Sequence, residues 1–84
     1  MNTQNHSTII TQLNIELTRK GFTAIEIELK KFMDLPWLYI LVRRGSDAIK
    51  LDVSVATLER YGAETIARCI YKEWHRQTLK KIFK

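Results

Sequence analysis

FTAIEIELKKFMDLPWLYILVRRGSDAIKLDVSV, residues 22–55, is the stretch on which the fold turns. Its first part alternates Ile25, Ile27 and Leu29 with Glu26, Glu28 and Lys30, the period of two that a strand shows when one face is buried and the other wet. This places a strand over 23–32, ending where Lys31 and Phe32 break the alternation. Met33-Asp34-Leu35-Pro36 then turns the chain, because Pro36 fixes its own φ and pushes Leu35 out of the helical region. Trp37 to Val42 is apolar at six successive positions, as in a central strand covered on both sides. Arg44-Gly45-Ser46-Asp47 is hairpin chemistry. Ile49, Leu51, Val53 and Val55 alternate again, with Lys50, Asp52 and Ser54 between them. The three runs read as an antiparallel meander with the second strand in the middle.

Helical periodicity flanks this block. Ser7 reads as an N-cap, and Ile9, Leu13 and Leu17 follow at four-residue spacing, giving a helix over roughly 8–20. Arg19 and Lys20 suit the negative end of its dipole. Gly21 then suits a left-handed cap, and Phe22 is placed to touch Leu17 as in a Schellman motif. After the sheet, Ser54 or Thr57 can cap the next segment, and Gly62 bends it. From Ala63 the residues Ile66, Ala67, Ile70, Tyr71 and Trp74 recur at helical spacing along one face, so a last helix runs to 81–83 and lies on the sheet. The fold class expected is α+β: helix, three-stranded antiparallel meander, C-terminal helix bent at Gly62.

With 84 residues there is room for one domain over 1–84, its polar first seven residues a flexible N-terminus. Apolar residues at 45% and charged residues at 27% exclude a disordered or low-complexity chain. A lone cysteine, Cys69, excludes an internal disulfide framework, so the expected setting is a reducing cytoplasm. No signal-peptide pattern and no apolar run of about 18 residues occurs, so a membrane is not among the expected partners. The net charge is +5 and all of it lies in the second half. Such asymmetry suits an anionic partner or an exposed basic helix.

Two surfaces follow. Arg68, Lys72, Arg76, Lys80 and Lys84 sit four apart, and steps of about 6 Å make them a basic ridge roughly 24 Å long. Such a ridge could gather phosphates by releasing counterions, although a solvated helix face has the same composition. Only Glu64 stands at a matching four-residue step, so the ridge reads as nearly unneutralised. The second surface comes from the middle strand. If Leu38, Ile40 and Val42 face the helices, Trp37, Tyr39 and Leu41 face the other way among Glu26, Glu28, Lys30, Lys50 and Asp52. An apolar strip rimmed by charge is an interface, a self-association surface or a stacking platform for bases, unless the first helix folds over it. In the tail, Leu79, Ile82 and Phe83 among Lys80, Lys81 and Lys84 suit a helix end packing on a neighbouring element or a partner subunit, more than one meeting a membrane surface.

Catalytic signatures are missing. His6 lies in a polar segment, and neither Glu73 nor Cys69 stands three or four residues from His75, so no catalytic residue, metal or cofactor is expected. Cys69 reads as a small packed thiol. Gly21, Gly45 and Gly62 are isolated and form no phosphate loop.

In element order alone, the chain resembles the double-stranded-RNA-binding domain. That family's lysine cluster at its second helix is replaced here by Ser54-Val55-Ala56-Thr57-Leu58-Glu59, and its Gly-Pro loop by Met33-Asp34-Leu35-Pro36. No functional residue is carried over. The function expected is that of a small non-enzymatic interaction protein, binding a protein partner or itself through the sheet face and the basic helix. The alternative is a nucleic-acid-binding module working through the ridge.

Overall fold

A computed structural model describes residues 6–82, and side chains as far as residue 80. The elements run α1 (Ser7–Arg19), β1 (Ala24–Phe32), β2 (Leu35–Arg44), β3 (Asp47–Ser54), α2 (Val55–Tyr61) and α3 (Ala63–Ile82). The class is α+β, and the sheet is an antiparallel meander in the order β1-β2-β3. His6, not Ser7, holds the N-cap of α1. Its carbonyl accepts the first helical bond, from the Ile10 N–H at 3.1 Å, so the helix starts one residue before the serine could cap it. Of the flexible N-terminus expected over 1–7, His6 and Ser7 instead form the start of α1, and residues 1–5 lie outside the described residues.

α1 ends as its sequence dictates. Gly21 has φ +95°, a conformation that costs a side-chain-bearing residue far more than glycine. The Gly21 N–H reaches Thr18 O at 3.0 Å and the Phe22 N–H reaches Leu17 O at 3.4 Å, the paired bonds of a Schellman motif. Leu17 and Phe22 both enter the core.

The β1–β2 turn is tighter than the sequence suggested. Phe32 pairs directly with Leu35, so Met33 and Asp34 alone make the turn, with φ of 53° and 66°. Two positive values define a type I′ hairpin, which right-handed strand twist favours. Leu35 and Pro36 belong to β2 instead. Bonded pairs recur at every second position from Phe32–Leu35, which turns the nitrogen of Pro36 away from β1. On that other side β3 has already ended, at Ser54 opposite Trp37. The missing N–H costs no ladder bond, and the proline marks where β3 must stop.

All three helices lie on one face of the sheet. Leu38, Ile40 and Val42 of β2 are buried with Ile49 of β3, Leu13 and Leu17 of α1, Val55 and Leu58 of α2, and Ile66, Ala67, Ile70 and Trp74 of α3. α1 packs chiefly on α3. It does not fold across the opposite face, so the expectation that β2 is covered on both sides is wrong. α1, α2 and α3 together supply one layer, and among the described residues no other element is left for a second.

The β2–β3 turn is fastened to this layer by an aromatic cluster. Phe22 meets Trp74 edge-on at 5.9 Å and Tyr71 at 6.2 Å. The Arg44 guanidinium lies 5.6 Å from the Trp74 ring centre and donates to the Tyr71 hydroxyl at 3.3 Å, while Trp74 Nε1 donates to Asp47 O at 3.4 Å. Cation–π contacts of this kind each contribute about 0.5–1 kcal/mol where exposed.

Ser54 caps α2, accepting from the Thr57 N–H at 3.1 Å. Gly62 then serves two helices at once. Its N–H closes α2 on Leu58 O at 2.8 Å, and its carbonyl opens α3 by accepting from Ile66 at 3.1 Å. With φ 89° and ψ 155° it occupies a region essentially restricted to glycine. Nothing lies within 4 Å of where a Cβ would be added. Gly62→Ala should therefore cost on the order of 1–3 kcal/mol through the backbone alone, read as a lower denaturant midpoint with unchanged slope. Ile70, 1% exposed, tests the core itself: Ile70→Ala should lose about 2–5 kcal/mol, and a melt superimposing on wild type would show that α3 is not packed this way.

Candidate interaction surface

The uncovered face is a direct product of strand register. Three cross-strand rows lie side by side: Glu26–Leu41–Lys50, Glu28–Tyr39–Asp52 and Lys30–Trp37–Ser54. Each row places a β2 apolar or aromatic residue between polar side chains on the edge strands, as expected from Trp37, Tyr39 and Leu41. The first two rows, with Lys30 of the third, line a shallow depression of about 600 Å³. Tyr39 is 37% exposed, whereas Trp37 and Leu41 are half-buried. The Lys30 ammonium stands 5.5 Å over the Tyr39 ring and 3.6 Å from Glu28. Trp37 Nε1 is shielded, with no hydrogen-bond partner among the described residues. An unpaired indole donor of that kind costs about 1–3 kcal/mol.

The face continues into a feature the sequence reading missed. Phe32 and Leu35 share the parity of the open face and are 57% and 59% exposed, and Met33 at the turn is 81% exposed. An apolar cluster thus crowns the hairpin. A Met-Asp pair lacks the Asn-Gly signature of a type I′ turn, so the sequence pattern spreads the turn over Met33-Asp34-Leu35-Pro36 and assigns Met33 and Leu35 to the connection. The available signal was the apolar pair Phe32 and Leu35 standing on either side of Met33-Asp34.

The basic ridge is less bare than its spacing implied. Arg68 pairs with Glu64 at 3.5 Å, and Arg76 pairs with Glu73, its Nε donating to Oε1 at 3.1 Å. Glu73 stands three residues from Arg76, a step that a four-residue count overlooks but the helix surface allows. Among the described residues, only Lys72 and Lys80 of the ridge have no carboxylate within ion-pair distance, and Lys84 lies outside them. The ridge retains its line, but two of its four described charges are answered.

Of the remaining candidates, Cys69 is exposed rather than packed, because it sits about 100° around α3 from Ile70. The His75 ring contacts Tyr71 and Trp74 edge-on, and His6 Nδ1 is 3.7 Å from Glu59. Among the described residues no group of three His, Cys, Asp or Glu side chains could hold a metal. Among the same residues, no helix is long and apolar enough to cross a membrane. Leu79 in the tail is half-exposed, whereas Phe83 and the side chain of Ile82 lie outside the described residues.

No protein-family model, curated protein or solved structure matches this chain. The layout shared with the double-stranded-RNA-binding domain therefore rests on element order alone.

Glu73 offers a pH test of the ridge. Hydrogen bonds from Arg76, and then from Gln77 at 2.7 Å, lower its pKa from 4.5 to about 2. A carboxyl depressed on folding stabilises the protein fully above its unfolded value and loses that contribution as pH falls through the folded one. Wild-type melting temperature should accordingly drop between about pH 5 and pH 2 relative to Glu73→Gln. Divergence of the two curves confined to that window would confirm the pairing, and curves that stay parallel through it would refute it.

Proposed function

We propose that this is a non-enzymatic interaction domain of the cytoplasm, which binds a protein partner or a second copy through the open sheet face and the hairpin crown. The observation that carries the reading is the continuity of apolar side chains from Leu41 through Tyr39 and Trp37 to Leu35, Phe32 and Met33, along a face that no helix covers. Apolar centres with charged rims are the ordinary composition of protein interfaces. Hairpin tips and sheet faces left apolar are a liability that chains usually blunt. Here a bulky Met33 even occupies a strained positive-φ position, where Asn or Gly would improve the isolated domain.

The depression favours protein over nucleic acid. Glu26, Glu28 and Asp52 stand among its cations Lys30 and Lys50, so the aromatic face offers a phosphate backbone no net attraction. Phosphate binding depends on cations near the polyanion and weakens steeply with salt, whereas burial of Tyr39 and its neighbours is nearly salt-indifferent. The ridge on α3 remains a peripheral source of steering, since long-range attraction works without tight contact.

The test replaces Tyr39 by a photo-crosslinking phenylalanine analogue in the full chain, with the same analogue at exposed Gln12 of α1 as control. Protein adducts formed from position 39, resistant to nuclease and to raised salt, are expected in clear excess over position 12. Equal yields at the two positions, no adduct from either, or nuclease-sensitive adducts from position 39 would overturn the proposal.

A further inference from the structure

The outer edge of β1 points to a second partner surface, beside the open face, with which it shares Glu28 and Lys30. Alternate residues of β1 turn their backbone groups to β2, beginning with Phe32 at the hairpin. The N–H and C=O groups of Ile25, Ile27, Leu29 and Lys31 therefore point outward. Among the described residues no backbone hydrogen bond reaches them. The strand is nine residues long and carries no proline, so it lacks a common means of blocking edge pairing. Its helix-side residues are covered at one end only. Ile25 and Ile27 are half-buried, but Leu29 is 46% exposed, so the helix layer does not reach the middle of the edge.

We infer that two copies of this chain join β1 to β1 antiparallel about a two-fold axis at Leu29, forming a continuous six-stranded sheet. Charge selects this register. Centring the axis on Leu29 sets Glu28 of each copy against Lys30 of the other, twice, with no like charges opposed. Centring on Ile27 would instead oppose Glu26 and Glu28, and centring on Glu28 or Lys30 would oppose that residue to itself. Directly opposite unlike charges stabilise a strand pair, and like charges destabilise it. At the chosen axis Leu29 meets Leu29 in a bonded pair, covering the exposed side chain, and Lys31 pairs with Ile27 on either side. The helix layer leaves Leu29, on the axis, 46% exposed. The other edge offers Lys50 and Asp52 a comparable charge match. There, however, Ile49 is buried and Leu51 and Val53 are half-buried, so joining β3 edges would cover no exposed large apolar side chain. Pairing through β1 leaves both open faces on the same side of one sheet, and it does not require the open face to bind anything.

Full-length Lys30→Glu and Glu28→Lys variants test the register, with folding checked by circular dichroism. Wild type should sediment as a dimer at high micromolar concentration. Either single reversal opposes like charges at both pairs and should weaken association about tenfold or more. The double reversal, and an equimolar mixture of the two single variants, both restore opposite charges and should restore the dimer. A monomeric wild type would overturn the inference. So would reversals that leave association unchanged, mixtures that stay monomeric, or an association lost with Lys50→Glu or Tyr39→Glu but kept with Lys30→Glu. Loss confined to Tyr39→Glu would move self-association to the open face and leave the reading of that face standing.

Discussion

Everything in this domain hangs on the way β2 divides its side chains. Leu38, Ile40 and Val42 are nearly or fully buried, and each faces a β1 and a β3 partner at the same level of the sheet. Those rows form the floor on which α1, α2 and α3 pack. Because side chains alternate, a one-residue slip would exchange this floor with Trp37, Tyr39 and Leu41. The two short turns prevent the slip. Met33-Asp34 fixes β1 against β2, and Gly45-Ser46, with φ +66° at Gly45, fixes β2 against β3.

A one-layer cover over a three-stranded sheet has two consequences. Burial is concentrated on one side, so α3 contributes heavily to stability through Ile66, Ala67, Ile70 and Trp74. The other side retains apolar surface that would be costly in a chain selected for solubility alone. The molecule is also long for its size, 50 Å by 27 Å by 19 Å. The hairpin crown lies at the opposite end of β2 from the turn where Trp74 docks, and α3 continues past that turn for eight residues, to Ile82.

Electrostatics divides the surface along similar lines. On α3 the cations Arg68 and Arg76 are matched by Glu64 and Glu73 one turn or less away, which turns a ridge of one sign into a partly neutralised helix face. On β1 the charge changes sign once along the strand, from Glu26 and Glu28 to Lys30 and Lys31. That pattern does little within one chain, beyond the 3.6 Å contact between Glu28 and Lys30. Across an antiparallel partner strand the same pattern discriminates between registers.

The sequence by itself determined the element types, the order of the meander, the split of β2 into two faces and the end of α1. These depend on local periodicity and on single residues such as Gly21, whose effect is exerted within a few positions. It also placed the bend at Gly62, where one residue must end a helix and begin another. What it could not reach were the quantities that depend on elements meeting: that α1 joins α3 instead of crossing the open face, that Glu73 takes Arg76 out of the ridge, that Cys69 is left exposed, and that Phe32, Met33 and Leu35 crown a two-residue turn. Apolar side chains read the same in a sequence whether a helix lies over them or not, and only the count and placement of covering helices decides which of them remain in water.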